Sequence, residues 1–203
     1  MEPKELYDKL LSYYGPQHWW PGEGFEIAIG AILTQNTSWT NVEKALANLR
    51  KHKLLSPRRI LDCDLAFLKK QLTPAGYYNQ KAVYLRNLSQ LWLIHSNPTR
   101  EQLLSVKGIG AETADSILLY LLAQPEFVID AYTVRISNRL GFGNSTKKNY
   151  WKRFYEQKLE ADVHLYNEFH ALFVIHAKIF CKKQDPLCQT CFLQEKCACG
   201  KKK

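Results

Sequence analysis

The sequence predicts an all-α fold. Along its 203 residues, apolar side chains recur at the spacing of amphipathic helices, and no segment shows the clean alternation of a half-buried strand. Glycine and proline interrupt this pattern at short intervals, as they do between consecutive helices. Because 46% of the residues are apolar, the chain can bury one large core or two small ones.

The predicted helices can be placed in order along the chain. The first, residues 5–14, puts Leu6 and Leu10 on one face and stops before Gly15. The second begins near Phe25 and is apolar on nearly every side, as a central buried helix would be. The remaining helices are predicted over residues 40–51, 56–63, 64–71, 79–95, 100–105, 111–122, 132–140, 149–159 and 163–179.

The charge balance favours a polyanionic partner such as nucleic acid. Lys and Arg number 28 against 19 Asp and Glu, which gives a formal net charge of +9 and a sequence pI near 9.2. Solvated lysine-rich faces also serve solubility, so charge alone leaves the partner open. The chain has no long uncharged apolar run and starts with a polar amphipathic segment. We therefore expect a cytoplasmic protein without membrane association.

Five of the six cysteines lie close together near the C-terminus, and only Cys63 is distant. The five are Cys181, Cys188, Cys191, Cys197 and Cys199. Disulfide scaffolds spread their bridges along the chain, so this crowding favours metal ligation. Structural zinc sites bring two C-x2-C pairs about 12 to 20 residues apart, whereas one such pair occurs here. Four thiolates at irregular short spacing suit an iron–sulfur cluster better.

The most informative turn is the segment VKGIG at residues 106–110, which joins two helical patterns. Gly108 and Gly110 permit backbone angles closed to other residues and lack the Cβ atoms that would keep a phosphate from the amides. Those amides lie at a helix N-terminus, where the macrodipole favours an anion. Ile109 can pack inward while Lys107 supplies positive charge. Tight helix–helix turns also use such glycines, so this turn alone does not decide the function.

The residues after this turn carry a resemblance to a known family. The segment GIGAETA, the helix it opens and VIDAYTVRISNRLG at residues 128–141 closely resemble the helix-hairpin-helix and aspartate signature of endonuclease III-like DNA glycosylases. The cysteine spacing resembles the [4Fe–4S] loop of that family. The resemblance implies a two-lobed fold, with a six-helix barrel at 23–127 and a cluster lobe of residues 1–22 plus 128–203. It also implies a monomer that binds double-stranded DNA containing damaged bases, and that is nucleoid-associated if prokaryotic.

The resemblance also implies roles for individual residues. Asp130 would be the catalytic carboxylate, although an aspartate here also suits the N-cap of the next helix. The residues assigned to DNA binding are Gln35, Asn36, Lys107, Gly108, Ile109, Gly110, Thr113, Arg135 and Lys178. Gln35 or Asn36 would fill the gap left by an everted nucleotide, and surface solvation is the alternative for Lys178. The ligands of the [4Fe–4S] cluster would be Cys181, Cys188, Cys191 and Cys197.

Further residues indicate the branch of the family. In bifunctional members, a hairpin lysine forms a Schiff base with the sugar. Glu112 stands at that position here, which implies a monofunctional enzyme that uses water. The segments HWWPG at 18–22, LTQNTSW at 33–39 and GYYNQKA at 76–82 look like those of the endonuclease III-like 3-methyladenine DNA glycosylases. The resemblance thus predicts an alkylated purine as the base that is released.

A base pocket can be assigned on the same grounds. Aromatic faces favour a cationic alkylated purine by about 0.5 to 2 kcal/mol, which makes Trp19, Trp20 and Trp39 candidates, with Glu112 as a nearby negative charge. Core packing is the alternative for each tryptophan. A solvated glutamate in the first turn of a helix is the alternative for Glu112.

Three other functions stay open from the sequence. The first is a bifunctional endonuclease III-type glycosylase and AP lyase that acts on oxidised pyrimidines with another lysine as nucleophile. The second is a non-catalytic helix-hairpin-helix DNA-binding protein. The third is an unrelated helical protein whose cysteines bind zinc.

Overall fold

The computed structural model describes residues 1–202 and contains, within that range, eleven α-helices, four short 3-10 helices and no β-strand. The all-α class is therefore confirmed. The α-helices are α1 (Pro3–Tyr14), α2 (Phe25–Leu33), α3 (Trp39–Lys51), α4 (Pro57–Asp62), α5 (Leu65–Leu72), α6 (Tyr78–Ile94), α7 (Arg100–Ser105), α8 (Ala111–Tyr120), α9 (Ala131–Leu140), α10 (Lys148–Lys158) and α11 (Val163–Ile179). Every predicted helix is present, with ends that differ by at most two residues. None of the helices in the described range has the length and apolar character that a membrane crossing requires.

Local side-chain chemistry fixes several helix starts. Thr99 and Gln102 form a complete capping box at the start of α7. The side chains of Asp64, Asp130 and Asp162 each accept a hydrogen bond from a backbone N–H three residues further on, at the starts of α5, α9 and α11. Each such cap stabilises its helix by about 1 kcal/mol. Asp130 therefore does serve as an N-cap, and any chemical role comes in addition.

The chain divides into two compact units. Residues Trp20–Gln124 form one, which we call the barrel unit, and it holds α2 to α8. Residues Met1–Trp19 and Pro125–Lys203 form the other, which we call the terminal unit, and it holds α1 and α9 to α11. The barrel unit begins and ends three residues earlier than the expected range of 23–127.

Aromatic packing explains where these boundaries fall. The ring of Trp20 packs edge-on against Trp39 in the barrel unit, with ring centroids 5.3 Å apart. The ring of Phe127 stacks on Tyr155 in the terminal unit, with centroids 4.7 Å apart. Each of the two residues thus belongs with the ring it contacts.

The core of the barrel unit surrounds α2. Ile29, Ile32 and Leu33 are fully buried, and α2 packs against α3, α6 and α8. Glu26 is the charged exception on this helix, since its buried carboxylate pairs with the guanidinium of Arg50. The central buried helix expected from the sequence is therefore present.

The core of the terminal unit is largely aromatic. Trp151, Tyr155, Phe169 and Phe173 are fully buried, and the rings of Phe169 and Phe173 stack with centroids 4.6 Å apart. Aromatic pairs of this kind contribute about 0.5 to 1.5 kcal/mol each beyond the burial of their area. This core lies beneath α9 and α11, which pack against each other and carry the residues of the candidate site.

Candidate functional site

Helices α7 and α8 form a hairpin whose turn requires glycine. Gly108 has a φ of +100°, and a Cβ at this position would lie 2.1 Å from the ring of Tyr84. Both the backbone angle and the close approach exclude other residues. Ile109 is buried in the core of the barrel unit, whereas Lys107 is exposed. At Gly110, the N-cap of α8, no atom of the described residues lies within 4 Å of an added Cβ.

The turn after α2 contacts this hairpin through Gln35. The side-chain amide of Gln35 donates to the carbonyl oxygen of Gly108 and to Oγ1 of Thr113, each at 3.0 Å. Asn36 is exposed, and its backbone is left-handed with a φ of 51°. Gln35 thus holds the hairpin in place, and Asn36 is the more exposed of the two candidate plug residues.

A buried lysine fixes the same turn from the other side. The ammonium of Lys81 donates to the carbonyl oxygens of Leu33 and Ala75, at 2.9 and 2.8 Å, and to Oγ1 of Thr37 at 2.7 Å. Burial lowers the pKa of Lys81 to about 8. All three donors of the ammonium are satisfied. The residues around Asn36 are therefore held in a defined shape by contacts that the sequence did not reveal.

An ion pair joins the two helices of the hairpin. Nε and Nη2 of Arg100 on α7 donate to the two carboxylate oxygens of Asp115 on α8, at 2.7 and 3.4 Å. The side chain of Asp115 is only 4% exposed, so loss of the arginine would leave a buried charge. Asn87 on α6 donates to the carbonyl oxygen of Lys107 at 3.3 Å. The hairpin is thus fixed within its unit by polar contacts as well as by apolar packing.

Asp130 is both a helix cap and a nearly buried acid of the terminal unit. Its Oδ1 accepts hydrogen bonds from the backbone N–H and the hydroxyl of Thr133, at 2.7 and 2.9 Å. Its Oδ2 lies 3.6 Å from Nε2 of His170 on α11, and the two side chains are 12% and 7% exposed. Sequence reasoning missed His170. The only signal was a polar residue within the apolar stretch FHALFV of α11.

The surroundings of Asp130 keep it ionised. Burial alone would raise the pKa of the carboxyl group, because it disfavours the charged form. The neighbouring His170 and the two hydrogen bonds from Thr133 outweigh burial and hold the pKa of Asp130 below its ordinary value. At neutral pH this group is therefore a carboxylate, as stabilisation of a developing positive charge requires.

The three candidate tryptophans have different neighbours, and all three are half-buried. Trp19 packs on the ring of His170 in the terminal unit, with centroids 5.8 Å apart and an interplanar angle of 31°. Trp20 contacts Trp39 and also Tyr120, whose centroid lies 5.2 Å away. The structure thus groups Trp20 and Trp39 in the barrel unit and places Trp19 beside the partner of the buried acid.

Glu112 is exposed in the first turn of α8. An acidic side chain at this place interacts favourably with the helix macrodipole. It presents a carboxylate where a covalent mechanism would need an amine, so this position cannot supply a nucleophile for a Schiff base.

Two further residues that the sequence assigned to DNA lie in the terminal unit. Nε of Arg135 donates to the carbonyl oxygen of Cys181 at 2.9 Å, and its guanidinium lies 5.1 Å from the ring centroid of Tyr132. Arg135 therefore anchors the start of the cysteine loop. Lys178 is exposed and lines a shallow groove together with Trp19.

The cysteine loop surrounds a common cavity. Its four predicted ligands and Cys199 line a small cavity of about 30 Å³, beside His176 and Arg139. Nη1 of Arg139 lies 3.4 Å from Sγ of Cys181, and the thiol of Cys197 donates to the carbonyl oxygen of Arg139 at 3.2 Å. Across residues 1–202, no three His, Cys, Asp or Glu side chains come close enough together to hold a single metal ion. The thiols thus share a cavity but are spread around its wall.

A family model matches most of the chain. The family model described as the HhH-GPD superfamily base excision DNA repair protein matches residues 29–183. That range includes the hairpin, Asp130 and the first cysteine of the loop. The chain belongs to the HhH-GPD superfamily of base-excision-repair DNA glycosylases, and it is of the endonuclease III type.

Individual relatives agree with this assignment. The chain is 45% identical to a Methanocaldococcus jannaschii protein named as a DNA repair glycosylase, over 95% of this chain and 94% of the relative. The H. pylori 3-methyladenine DNA glycosylase MagIII, solved with 1,N6-ethenoadenine, aligns at 30% identity and a TM-score of 0.79, over 88% of this chain and 98% of that one. A non-covalent endonuclease III–DNA complex aligns over 98% and 95% with a TM-score of 0.88. Its 22% identity supports the fold alone.

Replacing Gly108 by alanine should damage the hairpin. The new Cβ would meet the ring of Tyr84, and the positive φ adds strain of at least about 1 kcal/mol. We expect a lower melting temperature and weaker binding of undamaged duplex DNA, measured by thermal unfolding and fluorescence anisotropy. Gly110→Ala is the matched control and should keep its stability, since its Cβ would enter open space. Equal stability of the two variants would refute the packing explanation.

Proposed function

We propose that this enzyme is a monofunctional DNA glycosylase that releases alkylated purines of the 3-methyladenine type, with water as the nucleophile. The observation that carries this proposal is Glu112 in the first turn of α8. The family resemblance assigns the Schiff-base lysine of the bifunctional enzymes to this position. Without an amine here the covalent route lacks its nucleophile, and hydrolysis is the route that remains.

The aromatic residues support an alkylated purine as the base. A purine alkylated at N3 or N7 is positively charged, and aromatic faces attract such a ring by about 0.5 to 2 kcal/mol more than a neutral one. The half-buried rings of Trp19, Trp20 and Trp39 are therefore assigned to the base pocket. The similarity to the H. pylori 3-methyladenine enzyme, at 30% identity over 88% of this chain, points to the same class of substrate.

The residues of the site suit hydrolysis of a base that leaves easily. The glycosidic bond breaks with its electron pair moving to the cationic purine, which departs neutral and needs no proton from an acid. Asp130 would then stabilise the positive charge that develops on the sugar and orient the attacking water. The hairpin amides and Lys107 would bind the phosphates of the strand.

We further propose that the cysteine loop holds a [4Fe–4S] cluster. The donor set consists of thiols that line one cavity, and their spacing of six, two and five intervening residues resembles the cluster loop of the family. Cys181, Cys188, Cys191 and Cys197 would be the ligands, and the cluster would act as a structural cross-link of the loop. In that case Arg135 and Arg139, which bond to the loop backbone, would support its fold.

Release of a methylated base from alkylated duplex DNA tests the catalytic proposal. We expect chromatography to detect 3-methyladenine, without strand cleavage and without a borohydride-trapped crosslink. Asp130→Asn should reduce release by about 10²- to 10⁴-fold, while DNA binding persists because the amide oxygen can still cap α9. Asp162→Asn changes an equivalent helix cap on α11 and should remain active.

Other outcomes would identify the alternative functions. Release of an oxidised pyrimidine with a trapped crosslink would make the enzyme a bifunctional endonuclease III-type glycosylase. No base release from either class of lesion, in wild type and Asp130→Asn alike, would leave only DNA binding.

Metal analysis tests the cluster. We expect about four iron and four sulfide per chain in protein purified without oxygen. Cys191→Ser should lose iron and lower the melting temperature, because one ligand of the loop is gone. The thiol of Cys63 lies in the barrel unit, so Cys63→Ser should keep its iron and an unchanged melting temperature. Stoichiometric zinc without iron in the wild-type protein would contradict the proposal.

A further inference from the structure

One helix of the terminal unit contacts both the catalytic candidate and a pocket tryptophan. On α11, Nε2 of His170 lies 3.6 Å from Oδ2 of Asp130, and the imidazole ring packs against Trp19. Two residues earlier, the carboxylate of Glu168 accepts hydrogen bonds from the backbone N–H groups of Gln17 and His18. The segment that leads into Trp19 is thus tied to the same helix that supplies the neighbour of Asp130.

The two oxygens of Asp130 have separate partners. Oδ1 is engaged by both donors of Thr133 and holds the start of α9. Oδ2 is therefore the oxygen that remains for a sugar or a water molecule, and it is the one that His170 approaches. A change at His170 acts on the reactive oxygen and leaves the helix cap in place.

We propose that His170 is a positioning residue for Asp130, whose imidazole approaches Oδ2 and favours its ionised, weakly basic form, and that Trp19 and Glu168 fix the imidazole in this place. The proposal rests on Asp130 as the catalytic carboxylate. In this role the carboxylate acts through its negative charge and by orienting the attacking water, and it accepts little of the water's proton. A strongly basic carboxylate would instead need a pKa closer to the working pH.

The electrostatic surroundings agree with this role. In the terminal unit, α11 packs against α9 and α1. Besides Asp130 and His170, the titratable side chains on these elements are Lys4, Glu5, Tyr7, Asp8, Lys9, Tyr13 and Tyr14 on α1, Tyr132, Arg135 and Arg139 on α9, and His164, Tyr166, Glu168, His176 and Lys178 on α11. Arg135 and Arg139 donate to carbonyl oxygens of the cysteine loop, and Lys178 is exposed. Tyr7 contacts Phe169, and Tyr14 hydrogen-bonds to His176. His170 is the titratable side chain on these elements whose ring nitrogen lies 3.6 Å from Oδ2 of Asp130.

The pH dependence follows from the sign of the shift. Because the folded pKa of Asp130 lies below its unfolded value, its charge stabilises the fold above the unfolded pKa, and this contribution is lost as the pH falls through the folded pKa. Without His170, burial would be opposed by Thr133 alone, and the pKa of Asp130 would rise. The acidic limb of the activity profile should then move to higher pH.

The test compares His170→Phe, His170→Gln and wild type in steady-state base release between pH 4 and pH 8, from which kcat and KM are obtained. In His170→Phe we expect the acidic limb of kcat to move up by about one pH unit or more, with KM little changed. His170→Gln retains a donor without a charge and should shift in the same direction. Trp19→Leu should move the acidic limb of kcat in the same direction by a smaller amount.

The control is Phe169→Leu, which damages a fully buried neighbour on the same helix. It should lower the melting temperature and leave the acidic limb unmoved. If His170→Phe and His170→Gln lower only the melting temperature, as Phe169→Leu does, the positioning role is refuted and His170 is a packing residue.

A second measurement needs no substrate. Carbon-13 NMR of the labelled aspartate carboxyl groups, with Asp130→Asn to assign the signal, should show Asp130 titrating at higher pH in His170→Gln than in wild type. An unchanged titration would overturn the proposal even if the enzyme releases methylated bases. If the titration of Asp130 is shifted but the protein releases no methylated base, the interaction of His170 with Asp130 is supported and the proposed substrate is rejected.

Discussion

The hairpin depends on one close contact, in which the backbone of Gly108 lies against the ring of Tyr84 at a distance that admits no Cβ. This contact lets the turn approach α6 closely, and it brings the side chain of Ile109 into the core of the barrel unit. With that side chain directed inward, Lys107 remains at the surface beside a backbone without bulky side chains. The features that suit the turn to bind a phosphate thus follow from a packing requirement of the unit.

Polar contacts then determine which end of each peptide dipole is engaged. The carbonyl oxygens of Lys107 and Gly108 accept hydrogen bonds from the side-chain amides of Asn87 and Gln35. Their negative ends are thereby occupied by groups of the barrel unit, and the N–H group of Ile109 closes the turn by donating to the carbonyl oxygen of Val106 at 3.0 Å. An anion is therefore favoured mainly at the N-terminus of α8, where the helix macrodipole has its positive end.

The fold was largely predictable because its signals are local. Apolar periodicity and caps such as Thr99 and Asp130 lie within a few residues of the helices they define, so helix ends were placed to within two residues. The glycines of the turn and Asp130 were identified for the same reason. Tyr84 and His170 were not identified, because each meets its partner across a long stretch of chain. In sequence, both look like ordinary members of helices that are mostly apolar.

The two carboxylate oxygens of Asp130 have different roles, and this difference connects the fold with the choice of substrate. One oxygen is committed to Thr133 and the start of α9, so the orientation of the carboxylate is fixed before any substrate binds. A carboxylate whose pKa is held low is a poor base, yet it can still stabilise a positively charged sugar. That limited capacity suffices when the departing base is already cationic. A neutral oxidised pyrimidine leaves less readily and would require further help, from a proton donor or a covalent amine. Glu112 supplies no such amine. The weak basicity of Asp130 and the carboxylate of Glu112 therefore both favour hydrolysis of a cationic base over release of a neutral one.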